Sequence, residues 1–284
     1  MKLLILTQKM DVNDPILGFF VRWVEEFAKH CENVIVICLE KGEYDLPSNV
    51  KVLSLGKEEG GPYYIKTLRY IVRFYKYIWS ERRNYDSVFV HMNQIYVILG
   101  GLFWRMLGKR ISLWYTHKSV TFSLRIAEKF VHTILTASEK SFRLKSKKKI
   151  VTGHGIDIEL FKPDSSIEKE NIVLTVGRIS EAKNNIKMLT VLKNNPALKL
   201  VVVGSSVTEK DKVYKERFLK EIKDKHLEDR IELMAPAGGF DSMQAALDAG
   251  ADYPCGNSWN VSVSWSYDFR CKVCSIACGN CGGV

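Results

Sequence analysis

Asn171-Ile-Val-Leu-Thr-Val-Gly-Arg-Ile-Ser-Glu-Ala-Lys183 is the stretch that decides the fold. Its apolar, β-branched run from Ile172 to Val176 predicts a strand that is buried on both faces of a parallel sheet. Gly177 allows a turn, and Arg178 and Lys183 follow on the loop and the first turn of the next helix. Ligands of open parallel sheets bind at the carboxyl ends of strands, and helix N-termini favour anions. The stretch therefore predicts a phosphate site, although two solvated cations on an ordinary strand-to-helix turn would give the same pattern.

The rest of the sequence alternates strands and helices in two series, which is the pattern of doubly wound α/β sheets. In the first series the predicted strands are Lys2 to Leu6, Val34 to Leu39, Val50 to Leu55, Ser87 to Val90, Ile111 to Tyr115, Thr133 to Ala137 and Ile150 to Val151. The predicted helices between them are Gly18 to His30, Tyr64 to Trp79, Ile95 to Leu107 and Arg125 to Val131. The second series follows a charged linker, Lys162 to Glu170, and adds a helix from Asn185, a strand from Leu198 to Val203 and a helix from Lys210 to Lys225.

These two series predict two Rossmann-like halves with a cleft between their sheets. We expect an N-terminal domain over residues 1–161, a partial C-terminal domain over residues 162–233 and an irregular tail over residues 234–284. The length of 284 residues suits two domains.

Composition indicates a class of binding partner but does not identify one partner. The net charge of +10 favours an anionic partner such as nucleic acid, anionic lipid or a sugar nucleotide. The best candidate for a membrane span, Ile95 to Leu107, is interrupted by Arg105 and followed by Lys109. Leu3 to Leu6 is better explained as a first strand than as part of a signal peptide. We therefore expect a cytoplasmic protein.

Three quoted motifs together resemble one known family. They are Val151-Thr-Gly-His-Gly-Ile-Asp-Ile-Glu-Leu-Phe-Lys-Pro163, the pair Arg178-x4-Lys183, and Leu-Val-Val-Val-Gly204. This combination resembles the domain junction and first C-terminal strands of the retaining GT-B glycosyltransferases of family four, and the resemblance covers about Met1 to Glu232. It implies a GT-B-like fold.

The resemblance also implies roles for individual residues. In that family, the residues that match Arg178 and Lys183 bind the diphosphate of a nucleotide-sugar and stabilise the leaving group. The loop around Gly18 looks like the family's loop near the donor phosphates, although a glycine at a helix start is equally explained by packing. His117 is similar to the active-site histidine that contacts the transferred sugar, whereas a lone histidine after a strand is more often structural. His91 would support this site.

The implied activity is transfer of a sugar from a nucleotide-diphosphate donor to an envelope glycan or lipid-linked acceptor. We expect no metal or other cofactor, since Arg178 and Lys183 supply the positive charge, and no nucleic-acid partner. The family's paired glutamates, spaced Glu-x7-Glu, have no counterpart, because no Glu follows Glu232. We therefore expect a truncated enzyme with impaired activity. The alternative is a non-catalytic module that binds nucleotide-sugar or a membrane surface.

Membrane contact is suggested by Tyr63 to Arg83, where apolar residues recur at spacings of three and four beside six cations. Such a basic amphipathic helix can lie on anionic lipid and would place the protein at the inner face of the membrane. We favour the other explanation, an ordinary helix that packs its apolar stripe on the sheet and exposes a solvated basic face.

The sequence changes character near Met234, where Gly, Ser and Cys replace Lys and Arg. Ile231 to Asp252 resembles the first strand and helix of the collagenase-like peptidase family, but one such unit cannot form a barrel, and it could equally complete the second half. The spacing Cys271-x2-Cys274-x3-Cys278-x2-Cys281 could hold zinc or an iron-sulfur cluster, yet fits neither well. We favour an aberrant or foreign, chimeric tail.

Overall fold

The computed structural model describes residues 1–14, 16–153, 171–206 and 208–234. The chain divides into two compact units, unit 1 over Met1–Gly153 and unit 2 over His154–Val284. The predicted linker, the predicted boundary at residue 161, and the predicted tail beyond Met234 lie outside the described residues.

Unit 1 is a parallel sheet covered by helices. Its strands are β1 (Lys2–Met10), β2 (Asn33–Lys41), β3 (Val50–Ser54), β4 (Ser87–His91), β5 (Arg110–Trp114), β6 (Thr133–Thr136) and β7 (Lys149–Val151). Its helices are α1 (Phe19–His30), α2 (Tyr63–Ser80), α3 (Gln94–Met106) and α4 (Phe122–Phe130). The strand order is β3-β2-β1-β4-β5-β6-β7, and every neighbouring pair is parallel. The expected α/β fold class is confirmed.

Both faces of this sheet are buried, because alternate residues of each strand point to opposite sides. Leu4 and Leu6 of β1 belong to a core that also contains the buried residues of α2, α3 and α4. Leu3 and Ile5 belong to a second core, which α1 covers. This double burial explains why the strands have continuous apolar sequences.

Unit 2 contains a smaller parallel sheet. It contains strands β8 (Ile172–Val176), β9 (Lys199–Val203) and β10 (Ile231–Met234), in the parallel order β10-β9-β8, and helices α5 (Ile186–Asn194) and α6 (Glu209–Asp224). Both helices share one apolar core with the strands. The strand that opens the peptidase-like segment is therefore a strand of this sheet, and the remainder of that segment lies outside the described residues.

Three predictions about element positions were inaccurate. α4 begins at Phe122, three residues before its predicted start at Arg125. β1 extends four residues beyond the predicted end at Leu6, since Lys9 and Met10 continue the ladder with Glu40 and Lys41. Lys183 ends a short 3₁₀ helix, Glu181–Lys183, and does not lie in the first turn of the α-helix, which begins at Ile186. In the part of the chain that the structure describes, no helix is both long and apolar enough to cross a membrane.

A buried polar network joins α2 and α3 to the first core of unit 1. The Tyr85 hydroxyl donates to the Ile78 carbonyl at 2.9 Å and accepts from Trp104 Nε1 at 3.1 Å. Tyr85 and Trp104 are fully buried, and burial raises the pKa of Tyr85 to about 12. The network therefore satisfies polar groups that water cannot reach.

We expect Tyr85→Phe to lower the free energy of unfolding by about 1–3 kcal/mol, because it leaves the Trp104 N–H without its acceptor in the core. Tyr75→Phe is the matched control, since Tyr75 is exposed and its hydroxyl donates to the Leu99 carbonyl. Its effect should stay within about 0.5 kcal/mol. Urea unfolding followed by tryptophan fluorescence measures both, and equal losses would contradict the buried role of Tyr85.

Candidate functional site

The strand order of unit 1 reverses direction between β1 and β4, which are parallel neighbours. At such a switch point the loops leave the carboxyl ends of the two strands on opposite sides and open a crevice, where ligands of doubly wound folds bind. The loop after β1 leads to Gly18, and His117 follows β5, the next strand beyond β4. Gly18 and His117 therefore lie at the same edge of the sheet.

His91 ends β4 at this crevice, but its side chain is buried. Its Nδ1 lies 3.3 Å from the Thr7 hydroxyl of β1, and its ring stacks on Phe20 of α1 with 4.1 Å between ring centroids. The side chain thus ties β1, β4 and α1 together just beneath the edge. This location is consistent with the expected supporting role.

His117 is an exposed residue in the loop between β5 and α4. Its Nδ1 accepts a hydrogen bond from the Ser119 backbone N–H at 3.1 Å. A neutral imidazole that accepts at Nδ1 carries its proton on Nε2, so Nε2–H is left as a donor. The loop therefore presents a hydrogen-bond donor at the carboxyl edge, which suits a sugar hydroxyl.

Gly18 immediately precedes α1 with helical backbone angles, φ −54° and ψ −36°. A Cβ at this position would lie 2.6 Å from the Val12 carbonyl oxygen and 2.7 Å from that of Asp14. The loop after β1 folds back so tightly that no larger residue fits. Packing alone therefore explains the glycine, and its predicted role near donor phosphates stays a prediction.

The same loop is held by Lys9, which the sequence did not single out. Its Nζ lies 3.1 Å from Asp14, 3.3 Å from Asp11 and 3.0 Å from Glu40 of β2. Glu40 and Asp14 raise the pKa of Lys9, so the ammonium group stays charged. Burial opposes ionisation of Asp14, but the backbone N–H groups of residues 17 and 16, followed by Lys9, outweigh it and lower the pKa of Asp14.

In unit 2, the turns after β8 and β9 meet at very short range. The Gly177 N–H donates to the Val203 carbonyl at 2.9 Å, and the Gly204 N–H donates to the Met234 carbonyl at 3.0 Å. Gly177 has φ +136° and Gly204 has φ +158°, and a Cβ on Gly204 would lie 1.9 Å from the Gly177 carbonyl oxygen. Only glycine at position 204 allows this contact, which fixes the start of the Arg178 loop.

Arg178 is directed toward the N-terminus of α6. Its Nη1 lies 3.6 Å from Asp211 Oδ2, and half of its side chain remains exposed. Asp211 is buried and closes a capping box with Thr208, in which each side chain accepts from the other residue's backbone N–H. A guanidinium group has five donors, so one carboxylate contact leaves others for a ligand.

Lys183 folds back over the turn after β8. Its Cε lies 3.5 Å and its Nζ 3.8 Å from where a Cβ on Gly177 would stand, and its Nζ is buried. The description of Lys183 as a solvated surface cation is therefore wrong. Lys183 and Arg178 both lie in unit 2, on the segment between β8 and α5, whereas His117 and Gly18 belong to unit 1.

Asp211 and Gly204 contribute to this arrangement but were not predicted as site residues. The pattern Thr208-x-x-Asp211 before a helix is a recognisable capping box, so it could have located the helix start. It could not have shown that Asp211 also contacts Arg178, because that contact spans 33 positions in sequence. His154 and the four clustered cysteines lie outside the described residues.

A family model described as "Glycosyl transferases group 1" matches residues 157–238, less than half of the chain. This range includes Arg178, Lys183, Gly204 and Asp211. A search of curated proteins finds no match.

Solved structures share the fold of this chain. HepE (Alr3699) of Anabaena in complex with UDP is 18% identical, with a TM-score of 0.64 over 90% of this chain and 76% of HepE. A glycosyltransferase from Rickettsia africae is 12% identical, with a TM-score of 0.58 over 85% and 70%. UDP-GlcNAc 2-epimerase from Methanocaldococcus jannaschii is 13% identical, with a TM-score of 0.51 over 87% and 77%. At these identities the likeness shows a GT-B-like fold, which confirms that expectation.

We expect Gly204→Ala to destabilise unit 2 by about 3 kcal/mol or more, because overpacking against the Gly177 carbonyl adds to backbone strain. Gly108→Ala is the control, since Gly108 has φ +66° and a Cβ there would meet nothing within 4 Å. It should cost about 1 kcal/mol from the left-handed conformation alone. Urea unfolding followed by far-UV circular dichroism compares the two variants. Equal losses in the free energy of unfolding would show that the turns after β8 and β9 separate easily.

The Lys9 cluster predicts a pH dependence. The folded pKa of Asp14 is lowered, so its contribution to stability is present above its unfolded pKa of about 3.9 and is lost as pH falls through the lower folded value. We expect Asp14→Asn to flatten the dependence of the thermal midpoint on pH between about 5 and 3. Glu25→Gln, which removes a carboxylate of α1, is the control. An unchanged pH dependence of the thermal midpoint in Asp14→Asn would exclude the contribution of Asp14 to stability.

Proposed function

We propose that the protein is a retaining nucleotide-sugar glycosyltransferase that transfers a sugar from a nucleoside diphosphate donor to an envelope glycan or a lipid-linked acceptor. The observation that carries the proposal is the pair of cations at the carboxyl edge of the unit 2 sheet, Arg178 anchored by Asp211 and Lys183 folded over Gly177. Both residues lie within the range matched by the glycosyl transferase model.

The chemistry of donor cleavage explains why such a pair is useful. When the bond between sugar and phosphate breaks, negative charge grows on the departing diphosphate. Cations that are already held in place stabilise that charge without reorganisation in the transition state, which is usually the largest catalytic contribution. Asp211 orients Arg178 for this role, and the turn between Gly177 and Gly204 fixes the backbone that carries it.

A nucleoside diphosphate is the donor group that the comparisons favour. HepE has been solved with UDP, with UDP and glucose, and with UDP-glucose, and this chain shares its fold. We infer a similar donor here.

The exposed His117, with its Nε2–H donor at the edge of the unit 1 sheet, is the residue that we propose contacts the transferred sugar. The loop at Gly18 is proposed to lie near the donor phosphates.

The alternative is binding without transfer. No Glu follows Glu232 in the sequence, so paired carboxylates of the expected spacing are missing from that part of the chain. A donor sugar without this anchor would be misplaced, and small displacements of the reacting atoms are costly in rate. Donor binding is therefore the primary measurement, and sugar transfer or donor hydrolysis distinguishes an enzyme from a binding module.

We expect Arg178→Ala to weaken UDP binding by about 10- to 100-fold in isothermal titration calorimetry, since hydrogen bonds to charged groups contribute about 1.5–3 kcal/mol. Arg217→Ala is the matched control, because Arg217 is an exposed arginine of α6 in the same unit. It should leave the affinity unchanged. Equal UDP affinity in Arg178→Ala and the unsubstituted protein would refute the donor site.

A further inference from the structure

Helix α2 exposes most of its apolar side chains. Only Phe74 and Ile78 are buried, whereas Tyr64 is 84% exposed and Leu68 is 64% exposed. The exposed stripe, called here the α2 face, consists of Tyr64, Ile65, Leu68, Val72, Tyr75 and Trp79. The expectation that this helix packs its apolar stripe on the sheet and leaves only a basic face in solvent is therefore wrong.

The α2 face is a continuous strip and not a scatter of single residues. Its members recur at intervals of three or four residues, which places them on one side of a helix of 3.6 residues per turn. At 100° per residue this strip lies between the side that carries Phe74 and the side that carries Lys66, Arg69 and Arg73. Monomeric proteins rarely expose such extended apolar surfaces unless they bind something.

Helix α3 extends the same surface. Its exposed residues Ile95, Leu102 and Met106 recur at helical spacing, and Met106 is 78% exposed. The two helices are in contact, because the Tyr75 hydroxyl donates to the Leu99 carbonyl at 3.1 Å and the Trp79 and Phe103 rings lie 5.8 Å apart. We call the α2 face together with these α3 residues the apolar platform.

Within the two helices of the apolar platform the charged side chains have one sign. Neither α2 nor α3 contains Asp or Glu, while they carry five cations between them: Lys66, Arg69, Arg73, Lys76 and Arg105. Arg69 and Arg73 pair with Glu59, which ends the short 3₁₀ helix Lys57–Glu59 before α2. Arg82 lies over the Trp79 ring at 4.4 Å, beside the platform. The occupant of this surface should therefore be apolar and carry negative charge.

We propose that the apolar platform docks the protein onto an anionic lipid surface. Aromatic and aliphatic side chains flanked by cations are what the boundary between lipid headgroups and acyl chains binds. A second copy of the chain is a poorer occupant, because a symmetric contact would bring identical cations together. The proposal rests on exposure and charge alone and is independent of the donor site.

The test is cosedimentation of the full chain with phosphatidylcholine vesicles that contain or lack phosphatidylglycerol. We expect binding only to the anionic vesicles. Lys66→Gln with Lys76→Gln should weaken it by about thirtyfold, since each cation near an anionic surface contributes about fivefold. The matched control, Lys210→Gln with Lys220→Gln on α6, removes the same charge elsewhere and should retain binding.

A second pair of variants tests the apolar part. Leu68→Asp with Val72→Asp should abolish sedimentation, whereas Val213→Asp, at an exposed apolar position of α6, should not. Circular dichroism checks that all variants are folded. Two outcomes overturn the proposal: vesicle binding that survives Leu68→Asp with Val72→Asp, or a lipid-free dimer that these substitutions convert to monomer. Loss of UDP binding in Arg178→Ala is a separate result and leaves vesicle binding unaffected.

Discussion

The parallel pairing of strands is the constraint that places the candidate site residues of both units. A parallel ladder sends every carboxyl end to the same edge, so the polar residues that follow the strands gather there whatever their distance in sequence. In unit 1 this brings the loop before α1 and the His117 loop to one edge. In unit 2 the contact between Gly177 and Gly204 tightens the carboxyl edge of its own sheet, since the β9 turn leaves no room for a Cβ.

Carboxylates hold the cations in place at both edges. In unit 1, Lys9 is surrounded by three acidic side chains, and the result is a fixed loop with little positive charge left for a ligand. In unit 2, Arg178 has one acidic neighbour and remains half exposed. The balance of charge therefore differs: the Lys9 cluster is structural, and the Arg178 turn retains the capacity to bind an anion.

The sequence predicts the sheet of unit 1 well because burial on both faces leaves a strong pattern. The strands of unit 1 differ from their predicted bounds mainly at their ends. β8 has the predicted bounds, Ile172–Val176, but all its residues are partly exposed, so the expectation that it is buried on both faces is wrong. Side-chain positions were harder to predict. Helical periodicity locates a stripe on α2 but does not say which side meets the sheet. Spacing alone could not show that Lys183 ends a 3₁₀ helix and folds back over Gly177.

The two cationic surfaces of the protein differ in what surrounds the charge. At Arg178 the neighbours are the Gly177 turn and a capping box, so a compact polar anion can approach backbone and guanidinium together. On α2 the neighbours are Leu, Val, Tyr and Trp side chains. There, in our proposal, the cations attract an anionic lipid surface and the apolar side chains insert into it. A net charge of +10 alone does not distinguish these chemistries, because it sums the cations of the proposed donor site with cations that border an apolar surface. The placement of these cations on separate elements is what distinguishes the two proposed sites.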